Sequence, residues 1–253
     1  MVSINIPTHK SSETLLRTLR SIKHQTYQDL EVIIVDTIPL RDARKKGVQQ
    51  SKGKYVLFLD SDQLLAPDAL QRCVNACEKE GYDGVTLFEH SLVVHGTFVE
   101  KVIAYDKEIF HSLQDDDPTY GTAIPRFFRK SFLDRVDYDI NPPLTFEHTV
   151  VHWQVVQMGA KIKFIRDAII WHPETPTISA LCRKFYRYGY YYLDAYRKFP
   201  EIVKAHSRPR RTYFTRQAIR HPLLWMGLWY VYVAKSISAM CGTVRFLIDE
   251  RIR

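Results

Sequence analysis

Asp60 and Asp62, separated only by Ser61, close the run YVLFLDSDQ at residues 55–63. About five apolar residues bounded by polar ones read as a fully buried strand, and ligands of open α/β sheets gather at the carboxyl ends of such strands. If the strand continued, both carboxylates would point to one side, where one or two carboxylates with substrate phosphates hold a hard divalent cation. A metal-diphosphate site is the chemistry this spacing offers. Asp-Ser-Asp after a strand is equally turn and capping chemistry, since both residue types accept hydrogen bonds from nearby backbone N–H groups. The choice depends on what the rest of the chain brings to the same place.

A second group lies in NPPLTFEHTVVHWQVV, residues 141–156. Prolines close a loop, and from Glu147 onward Val150, Val151, Gln154 and Val155 fall at helical spacing. Glu147 and His148 then occupy a first helical turn, where the dipole favours a carboxylate and lowers a histidine pKa. Either side chain suits a general base; the plain alternative is a helix-terminal charge beside a surface histidine. His172, at the end of AIIWH, is a ligand or phosphate contact, or simply a satisfied polar residue.

The elements that must position these groups begin with a buried strand at residues 2–7. Ser11 or Ser12 caps a helix whose Leu15, Leu16, Leu19 and Ile22 share a face. A strand at residues 30–36 (LEVIIVD), a helix at 41–51 stopped by Gly53, and the strand at 55–60 follow. This cadence is that of a parallel sheet wound by right-handed crossovers, which presents Pro7-Thr8, Asp36 and Asp60-x-Asp62 at one edge. Neither Gly-x-Gly-x-x-Gly after the first strand nor a Gly-Lys-Ser/Thr loop is present, which argues against a dinucleotide dehydrogenase or a P-loop ATPase. A diphosphate would have to be met by a metal or by cations such as Arg41, Arg44 and Lys45, each of which also reads as part of a solvated helix face. Further along, residues 67–80 predict a helix, 84–88 and 97–105 strands, 123–128 a strand, 130–136 a short helix, and 161–172 two short strands. The acidic run Asp115-Asp116-Asp117-Pro118, followed by Gly121, reads as an exposed loop.

At 253 residues, 45% hydrophobic and 25% charged, the chain has enough apolar content for a full core. Its length suits one large domain, or one domain with an appendage. Cys73, Cys77, Cys182 and Cys241 lack metal-ligand spacing and read as reduced intracellular thiols. The net charge of +8 is concentrated: residues 183–221 carry eleven Lys and Arg against Asp194 and Glu201, a net of +9, so the remainder sums to −1. A long helix from Thr177 runs into that basic segment, with Tyr186, Tyr190 and Tyr191 interleaved among Arg183 and Arg187, a composition suited to lipid headgroups. It directly precedes the apolar stretch 222–248, interrupted by Lys235. Basic segment followed by apolar helix points to an anionic membrane surface rather than nucleic acid, with residues 222–248 either spanning or lying in the interface. Met1 leads straight into VSINIP with no basic leader and apolar signal core, so secretion is not expected.

Taken in order, SINIPTHK, LEVIIVD, DARKKGVQQSKGKYVLFLDSD, PRFFRKSFLDRV and LTFEHTVVHWQVVQMGAKIKF closely resemble the family 2 glycosyltransferases, inverting enzymes with a GT-A fold. The resemblance covers about residues 1–172; RKFYRYG and the apolar end are similar to membrane-associated members such as dolichyl-phosphate sugar synthases and cellulose-synthase-like enzymes. It implies a Rossmann-like mixed α/β sheet flanked by helices, with a catalytic domain at 1–172, basic-aromatic interfacial helices at 173–221 and a membrane-associated or transmembrane helix at 222–253. It also implies that Pro7 and Thr8 line the nucleotide pocket, Asp36 contacts base or ribose, and Arg44 and Arg183 lie near the diphosphate. Asp60 and Asp62 match the family's Asp-x-Asp, which holds the donor through Mg²⁺ or Mn²⁺, and His172 stands where relatives carry a metal- or phosphate-contacting histidine. Glu147-His148 matches a Glu-Asp pair whose aspartate is commonly the base, so here either Glu147 or His148 takes that role, or a phosphate acceptor needs none. The implied activity is transfer of a mannose- or glucose-type hexose from GDP-mannose or a UDP-hexose to a polyprenyl- or dolichyl-linked acceptor, at the cytoplasmic face of a membrane. The alternative is a non-catalytic sugar-nucleotide-binding subunit of a membrane complex.

Overall fold

The computed structural model describes residues 1–8, 13–112, 124–142, 144–206 and 211–252. Ser11, Ser12, the Asp115-Asp116-Asp117-Pro118 run with Gly121, Ala123 and Pro143 lie outside the described residues. Two compact units emerge, one of Met1–Glu89 with Asp115–His172, the other of His90–Gln114 with Pro173–Arg253.

The first unit alternates β1 (Val2–Thr8), α1 (Glu13–Lys23), β2 (Leu30–Asp36), α2 (Leu40–Gln50), β3 (Tyr55–Phe58), β4 (Leu64–Leu65) and α3 (Ala69–Lys79). It continues through β5 (Gly84–Leu92), β6 (Phe127–Arg129), α5 (Lys130–Leu133), α6 (Glu147–Gln157) and β7 (Ile162–Pro173), the ends of β5 and β7 passing into the second unit. The seven strands form one mixed sheet in the order β2-β1-β3-β6-β5-β7-β4. Parallel pairing sets Thr8 opposite Asp36 and Asn5 opposite Phe58, while β6 runs antiparallel to both β3 and β5. The crossover cadence of the first three strands thus holds, and the later strands make the sheet mixed.

Period-two alternation builds the layers. Tyr55, Leu57 and Phe127 turn to one face, packed under Leu15 and Ile22 of α1 and Leu70 and Val74 of α3. Val56, Phe58 and Phe128 turn to the other, against Val48 of α2, Leu133 of α5, and Val151 and Val155 of α6. Cys73 and Cys77 lie buried on one face of α3, where burial raises both thiol pKa values. Helix α2 ends at Ser51, whose N–H bonds Val48 O at 3.1 Å, two residues before Gly53. Gly53 instead lets the chain approach β1, its N–H donating to Ser3 Oγ at 2.8 Å, where a Cβ would crowd the Ser3 backbone. Where two short strands were expected over residues 161–172, β7 runs as one continuous strand, Ile162–Pro173.

The second unit holds α4 (Phe98–Ser112), α7 (Ile178–Lys198), α8 (Pro200–His206), a 3₁₀ turn (Arg211–Phe214), α9 (Arg216–Ile219) and α10 (Pro222–Ile252). The strand expected at residues 97–105 is helical, because Thr97-x-x-Glu100 is a capping box. The Glu100 N–H donates to Thr97 Oγ1 at 3.2 Å, and the Thr97 N–H donates to the Glu100 carboxylate at 2.9 Å. Val102, Ile103 and Ile109 then face Leu181 of α7 and Leu228 and Val231 of α10. Helices α7 and α10 touch backbone to backbone: a Cβ on Gly189 would overlap the Ala239 carbonyl, and one on Gly242 that of Tyr186. Thr243 Oγ1 donates across this crossing to Gly189 O at 2.9 Å.

Candidate active site

The strand β3 stops at Phe58, and Leu59 N–H still pairs with Asn5 O at 3.0 Å before the chain turns. Asp60 to Gln63 is a tight turn: Gln63 N–H donates to Asp60 O, and Gln63 Oε1 accepts from Asp60 N–H, both at 3.0 Å. Thr18 of α1 ties down Ser61 O at 3.1 Å. The turn chemistry read as the plain alternative is therefore present, and it aims the Asp60 and Asp62 side chains, 30% and 43% exposed, away from the core.

Each Asp60 oxygen meets an arginine. Arg44 Nη2 is 3.3 Å from Oδ1, and Arg126 Nη1 is 3.0 Å from Oδ2. Burial alone would raise the Asp60 pKa, but Arg126 and then Arg44 overrule it and hold the carboxyl well below its usual range. Arg44 does not belong to a solvated helix face. It is fully buried, its guanidinium 5.5 Å over the Phe58 ring and paired through Nη1 with the equally buried Glu147. Burial, with the repulsion of Arg126, lowers its pKa to about 9, so it remains charged at neutral pH. Its neighbours Arg41 and Lys45 leave the site, Arg41 donating to Asn141 O at 2.9 Å and Lys45 to the Asp139 carboxylate at 2.9 Å.

Two site residues carried no local sequence signal. Arg126, 15% exposed, also reaches Glu89 Oε2 at 3.4 Å. Burial opposes its charge, but Asp60 and Glu89 raise its pKa above the ordinary value. Glu89 in turn holds His172 Nδ1 at 3.1 Å, leaving His172 Nε2 facing Asp62 Oδ2 at 3.7 Å.

Glu147 and His148 separate in role. Phe146 precedes them with φ of 65°, a left-handed backbone that costs a non-glycine residue about 1–3 kcal/mol and persists only where the surroundings require it. Glu147 turns inward onto Arg44, while His148 stays partly exposed with its ring 6.3 Å from that of Phe58. Desolvation first, then Arg44 and Arg126, push the His148 pKa well below its ordinary value, so the imidazole is neutral at pH 7.

Asp62 and His172 form a carboxylate-imidazole pair whose histidine is oriented from behind by Glu89, the arrangement that fixes a metal-ligating tautomer. Among the described residues no group of three or more His, Cys, Asp or Glu side chains is placed to hold a metal ion by itself. The pair fits a divalent ion that takes its other ligands from phosphate and water, and a mixed O,N donor set suits Mn²⁺ at least as well as Mg²⁺. Thr8 and Asp36 sit side by side at the strand ends. Arg183 lies on α7 of the second unit, exposed, donating to Ser179 Oγ at 2.8 Å.

Comparison with known proteins gives this geometry a family. Glycosyl transferase family 2 matches residues 3–37 and 40–134, just over half of the chain. Poly(ribitol-phosphate) beta-N-acetylglucosaminyltransferase TarP of Staphylococcus aureus (strain N315) is 27% identical over 165 residues, covering 53% of this chain and 50% of that protein. An uncharacterized glycosyltransferase of Haemophilus influenzae is 25% identical over 126 residues, covering 39% and 47%. The chain thus spans about half the length, or less, of the curated relatives it matches. Among solved structures, the mannosyltransferase PcManGT from Pyrobaculum calidifontis, in complex with GDP-Man and Mn²⁺, superposes with a TM-score of 0.59 at 14% identity over 98% of this chain and 87% of that one. Staphylococcus aureus TarS 1-349 gives 0.54 at 15% identity over 100% and 92%. The mixed sheet flanked by helices is a GT-A fold, and the chain belongs to glycosyl transferase family 2.

Proposed function

We propose that this chain is an inverting glycosyltransferase that moves a hexose from a nucleotide-diphosphate sugar to a lipid-linked acceptor, with Mg²⁺ or Mn²⁺ at Asp60, Asp62 and His172. The observation that carries the reading is the convergence at one sheet edge of Asp60, clamped by Arg44 and Arg126, with Asp62 facing the Glu89-oriented His172. In this reading Pro7, Thr8 and Asp36 hold the nucleoside, and Asp62 and His172 are the direct ligands. Both oxygens of Asp60 already bond arginines, so it contributes through its remaining lone pairs. The ion, when bound, supplies Lewis-acid stabilisation of the leaving phosphate.

Inversion is a single in-line displacement: the acceptor oxygen bonds the anomeric carbon as the bond to the diphosphate oxygen breaks on the opposite face. His148 accepts the acceptor hydroxyl proton, its neutral imidazole ready for that step at pH 7. Glu147 acts at one remove, holding Arg44 and through it Asp60. Arg126 adds positive charge where the diphosphate leaves. Residues 1–172 serve as the catalytic domain and 173–221 as interfacial helices. Residues 222–253 are the membrane-associated segment, at the cytoplasmic face; α10 is long and apolar enough for a membrane.

A GDP-mannose donor is favoured by the mannosyltransferase neighbour bound to GDP-Man, and UDP-N-acetylglucosamine by the TarP relative. That relative also favours a second reading in which a polyol-phosphate chain is the acceptor. Transfer from radiolabelled donors to membrane lipid, or to a ribitol-phosphate polymer, separates the two. Asp62→Ala and EDTA should each abolish transfer; full activity after either contradicts the metal assignment. Donor and metal binding without turnover on any acceptor would instead identify a non-catalytic sugar-nucleotide-binding subunit.

A further inference from the structure

The outer face of α10 carries no charge over its first six turns. Leu223, Met226, Tyr230, Val233, Ile237 and Met240 recur at alternating steps of three and four, each 52–69% exposed, and only 11% of the helix's most apolar window is buried. Lys235, the one ionisable chain of strong charge between Pro222 and Val244, turns to the opposite side. It is 18% exposed, 3.7 Å from the buried Asp106 of α4 and 5.3 Å over the Phe185 ring. Beside the stripe lies an open groove of about 500 Å³, lined by Arg183, Tyr186 and Arg187 of α7 and by Ile237, Ser238 and Cys241 of α10. Both arginines are exposed, and neither meets a carboxylate among the described residues.

We propose that the α7–α10 face of the second unit docks flat on an anionic bilayer, the α10 stripe entering the acyl boundary and Arg183 and Arg187 taking headgroup phosphates. This rests on the reading of the chain as membrane-associated and not on its chemistry. Spanning is disfavoured by the fusion of the two helices at Gly189 and Gly242: α10 could not cross the hydrocarbon without drawing Arg183, Lys184 and Arg187 in with it. A second copy of the chain on the same stripe would bring two sets of uncompensated arginines together, whereas anionic headgroups complement them. An interfacial helix has this form, with one apolar face, cations at its border and aromatic rings between. Arg183, which the family resemblance sets near the donor diphosphate, here serves the headgroup layer.

Flotation of the full chain with vesicles tests the proposal. Phosphatidylcholine vesicles containing phosphatidylglycerol should carry the protein, phosphatidylcholine alone should carry far less, and alkaline carbonate should release it. R183Q/R187Q should weaken partitioning about thirty-fold, and I237S/M240S at least about ten-fold, with circular dichroism unchanged because all four side chains face solvent. Retention after carbonate, equal binding to neutral vesicles, or a dimer in light scattering that I237S/M240S dissolves while vesicles bind nothing would each overturn it. Asp62→Ala protein should float like wild type, so a failed transferase reading leaves this result standing.

Discussion

Each unit contains an inward-facing ion pair, and the two are built for different ends. Arg44–Glu147 is fully buried, and Arg44 passes its charge on to Asp60 and, through it, to Arg126 and Glu89. Lys235–Asp106, at 3.7 Å with Lys235 18% exposed, turns one cation away from the face of α10 that is uncharged over its first six turns. Buried pairs are weak evidence of stability, since desolvation offsets much of the attraction, but removing one partner strands a charge. The first pair therefore aims a network at a ligand, and the second keeps charge away from a surface.

Breaking the pairs separates these roles. Glu147→Ala leaves Arg44 buried and uncompensated on that side, and should cost about 3–5 kcal/mol in chemical denaturation. R44M/E147M should recover most of that stability and none of the transferase activity. His148→Gln, in the same helical turn but outside the pair, should leave the denaturation midpoint unchanged and lower turnover by about 10²–10⁴-fold. Because the His148 pKa is held below its ordinary value, the imidazole stays in its proton-accepting form as pH falls through 6.5. Turnover should therefore hold across that pH and fall only well below it. A half-loss centred near 6.5, the ordinary histidine value, would contradict the placement.

Smaller effects sharpen the contrast. Glu89→Gln should weaken Mn²⁺ affinity about 10–100-fold by releasing the orientation of His172, measurable by metal titration of donor turnover. Asp106→Asn should cost only about 1 kcal/mol, because the Lys235 amine has a solvent route along its flexible stem. A cost as large as that of Glu147→Ala would make the two pairs equivalent and remove the distinction.

What could be read from the chain alone follows the same division between local and distant causes. β2 and α6 begin where the apolar periodicity predicts, because strand and helix periods are local. Residues 97–105 read as a strand for their valine, isoleucine and tyrosine content, yet Thr97-x-x-Glu100 was a legible helix start whose two reciprocal bonds outweigh composition. The candidate site was half legible. Asp60 and Asp62 closely follow the strand β3, His172 lies at the end of β7, and all three stood out. Arg126 and Glu89 did not, since Arg126 finds its partners 66 and 37 residues away, through a sheet order that no local pattern encodes. Arg44 was visible as a cation but not as a buried one, because burial came from the stacking of α2 and α6 on one face of β3.

Calorimetric titration of UDP and GDP into the wild-type chain and into Asp62→Ala, each with Mn²⁺ and with EDTA, asks whether the Asp62–His172 pair holds a donor diphosphate through a metal. One nucleoside diphosphate should bind wild type with Mn²⁺, and EDTA or Asp62→Ala should weaken it at least about ten-fold. Equal affinity in all four conditions, or no binding of either nucleotide to wild type with Mn²⁺, would contradict a metal-held diphosphate.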